Sequence, residues 1–227
     1  MNQGLVSVII AIKNGERYLA AAIDSVIAQT YKCYEIIVID GNSTDNTEKI
    51  AKSYKQVRYV SQPSQGIANA YNLGIDLAQG EFISFISHDD LWTPDKLTIQ
   101  VNYLLDRPEI QYTIARVKFF LEEGFSIPPG FRPELLIGDR IAYIMETLVV
   151  RKTIFAQIGM LNPELSVAED VDWFARASDR QVLHMAIQKV LLYKRVHDSN
   201  LSLTSSINNQ NLLSILRQSI KRKRNLI

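Results

Sequence analysis

The chain has 227 residues, of which 47% are hydrophobic and 22% charged, and its formal net charge is +1. That is long enough to bury a sizeable core, while so small a net charge gives no bulk attraction to nucleic acid or to an anionic membrane. Cys33 is the only cysteine, so an intrachain disulfide and a cysteine-rich zinc site are excluded, and a packed thiol in a reducing compartment is expected.

Met1-Asn2-Gln3-Gly4 runs directly into a strand-like segment, and no apolar run approaches the ~20 residues that span a bilayer, so a cytoplasmic protein is expected. Leu5 to Ile12 is a β-branched apolar run, followed by the Asn14-Gly15 turn and by Leu19, Ile23, Val26 and Ile27 at helical spacing. Tyr34 to Ile39 reads as a second buried strand, and a helix opens after Ser43-Thr44-Asp45, with Asp45 and Glu48 at capping-box spacing. Val57 to Val60 is a third strand. A helix carrying Ile67, Ala70, Leu73 and Leu77 is ended by Gly80; Glu81 to Ile86 follows as a fourth strand, and Thr93-Pro94 starts another helix.

Four strands alternating with helices predict an α/β fold, with a mostly parallel central sheet covered by helices on both faces and ligands gathered at the carboxyl ends of the strands. Asn14, the run Asp40 to Asp45, and His88-Asp89-Asp90 each follow directly on a strand, so three loops can converge on one crevice. Glu169-Asp170 opens a later helix. The stretch from Glu122 to Gly138, rich in proline and glycine, reads either as an irregular joint between two halves or as a flexible acceptor-side loop. Leu212, Leu213, Leu216 and Ile220 share one face of a last helix that ends in Lys221-Arg222-Lys223-Arg224. Such a helix either packs on the domain or makes peripheral contact with an anionic membrane.

No Gly-x-Gly-x-x-Gly follows the first strand and no Gly-x-x-x-x-Gly-Lys-Ser/Thr occurs, which argues against a dinucleotide dehydrogenase and a P-loop enzyme. What remains at the strand ends is carboxylate and amide chemistry. Asp40 can accept hydrogen bonds from a base or ribose, and Asp89 and Asp90 offer hard oxygen atoms suited to Mn2+ or Mg2+. Read singly, each feature has a plainer explanation: Asp89-Asp90 as a solvated turn, Glu169-Asp170 as an acidic helix start, His197 as a satisfied histidine.

Together the segments resemble glycosyltransferase family 2, the inverting nucleotide-sugar transferases of GT-A fold. The matching residues are Val6 to Ile10 with Asn14 and Tyr18-Leu19; Ser25 to Tyr31; Glu35 to Gly41 with Ser43 to Thr47; and Gly66-Ile67 leading to Asn72-Leu73-Gly74. They continue with Gly80-Glu81-Phe82, Asp89 to Trp92, Ala168 to Trp173 and Tyr193 to His197, so that the likeness covers most of residues 5–203.

The resemblance implies a Rossmann-like nucleotide-sugar and metal-binding half at about 1–118 and an acceptor-side half at about 119–207. Together these make one domain, 1–207, followed by a basic amphipathic helix, 208–227. It implies that Asp40 recognises the nucleobase, that Asp89 binds the metal as the last carboxylate of the family's Asp-x-Asp motif, and that Asp170 is the catalytic base. Asn14, Ser43, Asn72 and His88 join the nucleotide-sugar site, His197 adds a metal or diphosphate contact, and Glu169, Asp172 and Trp173 lie on the acceptor side.

The implied reaction is metal-assisted direct displacement from a nucleotide-diphosphate sugar, with UDP as nucleotide, onto a glycan or lipid-linked acceptor in polysaccharide or surface-glycan synthesis. No nucleic-acid partner is expected. Ser87 departs from the pattern, standing where the first carboxylate of Asp-x-Asp usually does. That departure keeps open an alternative of another class, a nucleotide- or glycan-binding regulatory subunit without turnover. A nucleotidyltransferase is less well supported, because Lys13 to Arg17 makes a poor triphosphate-binding loop.

Overall fold

The computed structural model describes residues 4–165, 168–198, 200 and 208–224. The first half alternates as expected: β1 (Val6–Ile12), α1 (Leu19–Ile27), β2 (Tyr34–Asp40), α2 (Thr47–Ser53), β3 (Val57–Ser61), α3 (Ile67–Leu77), β4 (Phe82–Phe85), β5 (Leu91–Trp92) and α4 (Lys96–Asp106). The second half adds β6 (Tyr112–Leu121), β7 (Arg140–Ile141), β8 (Val149–Arg151), α5 (Ile154–Ile158), α6 (Glu169–Asp179), β9 (His184–Val196) and α7 (Asn208–Arg224).

All nine strands belong to one sheet in the order β3-β2-β1-β4-β8-β6-β9-β5, with β7 beside β6. The β3-β2-β1-β4 portion is parallel, whereas β8 enters antiparallel to both β4 and β6. The long strands β6 and β9 run parallel and carry register shifts around Arg116, where bulges bend the sheet. The expected α/β class with helices on the faces of a curled sheet is what the chain adopts. The sequence reading left β6 and β9 unassigned.

Every residue of β1 is buried, as a central parallel strand requires, because helices cover both its faces. Ile9, Ile37 and Phe85 point to a core shared with α3, α5 and α6, and Val8, Ile10 and Val38 to a core shared with α1 and α4. Gly80 lets the chain turn tightly into β4: a Cβ there would lie 2.6 Å from the Leu5 carbonyl oxygen and 2.7 Å from the Ser7 nitrogen. Ser7 ties this junction, donating from Oγ to Glu35 at 2.5 Å while accepting the Gly80 N–H at 2.8 Å.

A buried polar network lies beneath the β4–β5 turn. Lys96 Nζ donates to Gln100 Oε1 at 2.7 Å and sits 4.4 Å from the Trp92 ring centre; Gln100 Nε2 donates to Thr113 Oγ1 at 3.0 Å and to the Thr147 carbonyl at 2.9 Å. Burial holds the Lys96 amine well below its ordinary pKa. The network fastens the turn Met145–Thr147 to α4 and β6.

Trp173, which the resemblance places on the acceptor side, belongs to the core. Its side chain is fully buried, with ring centres 5.7 Å from Tyr112, 5.5 Å from Phe155 and 5.3 Å from Phe174. Helical periodicity puts Trp173 three residues after Asp170 and close to its face, and packing against β6 takes it into the core. Trp173→Ala is therefore expected to cost about 3–5 kcal/mol of folding stability in a denaturant titration, as large-to-small core changes do.

Candidate functional site

The loops after β1 and β2 are laced together by backbone and side-chain hydrogen bonds. Gly41 N–H donates to the Ile12 carbonyl at 2.7 Å, Asn14 N–H to Ser43 Oγ at 2.7 Å, Thr44 N–H to Asn14 Oδ1 at 2.8 Å, and Gly15 N–H to Thr47 Oγ1 at 2.9 Å. Asn14 adopts φ 53°, the left-handed region that Asn tolerates better than most residues. Asp45 Oδ1 accepts from Thr47 N–H at 3.0 Å from just before the α2 N-cap, Asn46, and Glu48 pairs with Lys52 instead of completing the expected box. The N–H of Asn46, the N-cap, donates instead to Glu16 Oε2 at 2.9 Å.

Asp40 ends β2 with its side chain buried. Oδ1 accepts from Ser43 N–H at 3.0 Å and Ser43 Oγ at 2.6 Å, and Oδ2 accepts from the Tyr59 hydroxyl at 2.7 Å. Asn14, Asp40 and Ser43 thus form one rigid wall. Asn72 stands apart from the expectation of donor contact: its side chain pairs both ways with the Leu161 backbone, Nδ2 to O at 2.9 Å and N to Oδ1 at 3.0 Å. Its amide satisfies two backbone groups of the segment before α6, tying α3 to it.

The second wall joins the β4–β5 turn to the end of β9. Asp90 is fully buried, accepting from Lys194 Nζ at 2.8 Å and from Arg195 N–H at 3.0 Å. Burial alone would discharge Lys194, but the carboxylates of Asp90, Glu146 and Asp89 around it hold it charged. Asp89 Oδ2 lies 2.8 Å from His197 Nε2 and accepts from Asn200 Nδ2 at 3.2 Å. Burial opposes ionisation of Asp89, yet the hydrogen bond with His197 and the charge of Lys194 outweigh it and hold the carboxyl below the usual range.

His88 is largely enclosed, and burial depresses its basicity. It packs so closely on the β1 loop that a Cβ at Gly15 would lie 2.5 Å from its ring. Arg195 Nε donates to the Asp89 carbonyl at 2.9 Å, and the guanidinium lies 4.5 Å from the Tyr18 ring centre and pairs with Glu122. Tyr18 in turn stands 5.1 Å from the His197 ring and donates to Glu122 at 3.3 Å. The Glu122–Gly138 stretch therefore begins anchored to the crevice.

The third wall is the first turn of α6. Ala168, at φ 70°, is a non-glycine residue in the left-handed region, and it turns the chain into the helix at Glu169. Burial raises Asp170 to about 6, helped by the negative charge of Glu146. Burial and the Asp170 charge raise Glu169 to about 7. Asp172, expected on the acceptor side, is instead buried against Arg176 at 2.8 Å, and Arg176 donates to the carbonyls of Ile158, Gly159 and Met160. Its side chain braces the segment after α5.

Glu146, Lys194, Arg195 and Glu122 were given no role in the sequence reading. Lys194 and Arg195 lie inside a quoted family segment, and that was their only signal. Glu146 and Glu122 carry none.

Asp89 and His197 meet, but each occupies the other's hydrogen-bonding atom, and among the described residues no group of three or more His, Cys, Asp or Glu side chains is arranged to hold a metal ion. A magnesium-type cation, by contrast, can be held by one or two protein ligands with a diphosphate completing its shell. No helix among the described residues is long and apolar enough to cross a membrane.

The profile of Glycosyl transferase family 2 matches residues 7–160. An uncharacterised glycosyltransferase of Rickettsia typhi is 34% identical over 216 residues, covering 88% of this chain and 67% of its own length. The Escherichia coli UDP-Glc:alpha-D-GlcNAc-diphosphoundecaprenol beta-1,3-glucosyltransferase WfaP is 31% identical over 144 residues, covering 61% of this chain and 56% of its own. Among the first curated relatives the share of their own length that is matched runs from 67% down to 15%.

In fold, the chain is similar to residues 1–349 of Staphylococcus aureus TarS in complex with UDP-GlcNAc, with TM-score 0.75, 21% identity and coverage of 96% of this chain and 66% of that one. It is also similar to the mannosyltransferase PcManGT of Pyrobaculum calidifontis in complex with GDP-Man and Mn2+, with TM-score 0.72, 18% identity and coverage of 97% and 65%. A profile match over more than half of the chain and a relative this similar, found on a sheet whose strand ends carry the expected carboxylates, make the chain a member of glycosyltransferase family 2.

Proposed function

We propose that this chain is an inverting glycosyltransferase that moves a sugar from a UDP-linked donor to an acceptor hydroxyl in polysaccharide or surface-glycan synthesis. The carrying observation is two unlike carboxylates that both feel the charge of Lys194: Asp89 held below the usual range beside His197, and Asp170 raised to about 6 on the first turn of α6. Environments that push two acids apart in this way suit them to different tasks.

In the reaction, Asp170 accepts the acceptor's hydroxyl proton as that oxygen bonds to the anomeric carbon. The bond from that carbon to the diphosphate oxygen breaks, and the nucleoside diphosphate leaves with the electron pair. Attack from the opposite face inverts the anomeric configuration. Asp40, with Ser43 and Asn14, walls the nucleobase and ribose side, and Asp89 and His197 would hold Mn2+ or Mg2+ together with the diphosphate. The cation, when bound, offsets charge growing on the leaving group. The names of WfaP and of the TarS complex support a UDP donor, and WfaP supports a lipid-linked acceptor.

A peripheral membrane contact fits such an acceptor. α7 docks on α6 through Ile215, with Ser219 Oγ donating to Asp179 at 2.6 Å and Arg222 Nε at 2.7 Å. The expected apolar face turns outward, with Leu213, Leu216 and Ile220 each more than half exposed. Arg217 and Lys221 flank that stripe, a pattern that suits an anionic bilayer surface. Wild type should sediment with phosphatidylglycerol-containing vesicles but not with neutral phosphatidylcholine ones, and Leu216→Glu/Ile220→Glu should release it; equal sedimentation of the two proteins would refute the contact.

UDP titrated by calorimetry should bind in a manganese-dependent way that Asp89→Ala abolishes. Binding without turnover in every donor screen would favour the regulatory-subunit alternative. Asp170→Asn should lower kcat by about 10²- to 10⁴-fold, the usual range for positioned base catalysis, and full activity in that variant would sink the assignment. Because the base must be unprotonated, log kcat/KM should fall with unit slope as pH drops below about 6.

A further inference from the structure

Position 87 lacks the expected carboxylate, and the structure brings another one to it from a distant segment. Ser87 Oγ donates to Glu146 Oε1 at 2.9 Å, and Lys194 Nζ donates to the same oxygen at 3.1 Å. Oε2 takes no hydrogen bond from any described residue, and it is not among the buried polar atoms left unpaired, so it is accessible from outside the protein. The Glu146 side chain is only 13% exposed, and its charge is felt by both Asp170 and Glu169.

The backbone under it is fixed as well. Glu146 lies in the short turn Met145–Thr147, where its carbonyl accepts from Trp92 Nε1 at 3.3 Å and the next carbonyl accepts from Gln100 Nε2 at 2.9 Å. A carboxylate with a fixed backbone, one oxygen clamped and the other open is preorganised to accept a hydroxyl.

Building on the donor-site reading above, we infer that Glu146 supplies the carboxylate that position 87 lacks, and that its open oxygen accepts a ring hydroxyl of the donor. The hydroxyl belongs either to the ribose or to the transferred sugar. Ser87 is the small neutral donor that lets Glu146 stand there, whereas an aspartate at 87 would set two like charges within hydrogen-bonding distance. The two positions share one carboxylate between them.

The test is calorimetry in the presence of Mn2+ on wild type, Glu146→Gln, Ser87→Asp and the double variant, with melting temperatures measured for all four. The probes are UDP, 2′-deoxy-UDP, GDP, UDP-glucose and UDP-GlcNAc. Loss of a hydrogen bond to a charged group should weaken binding by about 10- to 100-fold in Glu146→Gln, with its melting temperature near that of wild type. Ser87→Asp should also bind weakly, and Ser87→Asp/Glu146→Gln should regain most of the loss. A contact to the ribose 2′ hydroxyl predicts loss with UDP but not with 2′-deoxy-UDP, and one to the 3′ hydroxyl predicts loss with both; a contact to the transferred sugar predicts loss only with a UDP-sugar. Unchanged affinity of Glu146→Gln for every probe would overturn the inference, as would a loss that the double variant does not recover. If folded wild type bound none of the probes, the donor reading itself would fall and take this inference with it.

Discussion

Asp90 is a carboxylate removed entirely from water; burial pushes its pKa up to about 7, and holding it even there requires positive charge and hydrogen-bond donors to come to it. Lys194 and the Arg195 N–H meet that demand from a strand 104 and 105 residues further along the chain. Once that pairing forms, the turn after β4 is clamped to the end of β9. Asp89, His197 and the Arg195 guanidinium then have little freedom left in where they stand. The crevice is organised around this buried charge more than around any single loop.

The clamp also sets the electrostatics. Lys194 is shared between Asp90 and Glu146, and it contributes to holding Asp89 ionised. Asp170 sits where burial and Glu146 together raise it, with Lys194 only partly opposing them. One lysine and one glutamate, neither prominent in sequence, act with the His197 hydrogen bond to hold one aspartate below the usual carboxylate range and raise another to about 6.

Rigidity at the carboxyl ends of β1 and β2 comes from a different device. There the loops after β1 and β2 exchange backbone N–H groups with Ser43, Thr47, Asp45 and Asn14, so neither loop depends on its own helix cap. Around α6, Arg176, itself held by Asp172, donates to the carbonyls of Ile158, Gly159 and Met160, and Asn72 holds Leu161. Residues that look like binding groups in the sequence turn out to be fastening backbone polar groups, each of which must find a partner when taken from solvent.

The parallel half of the sheet was legible because its signals are local. A strand such as β1, buried on both faces, is apolar along its whole length, and turn and capping residues punctuate the alternation with helices. The same locality put Asn14, Asp40, Ser43 and Asp89 at strand ends. What only the tertiary structure decided depends on contacts between segments far apart in the chain. The strands β6 and β9 are defined by pairing with each other across about seventy residues, Trp173 is drawn into the core by Tyr112 and Phe155, and Glu146 reaches Ser87 from 59 residues away. Sequence spacing fixes which side chains share a face of one element, but burial and charge pairing between elements fix which of them face a ligand and which face the protein.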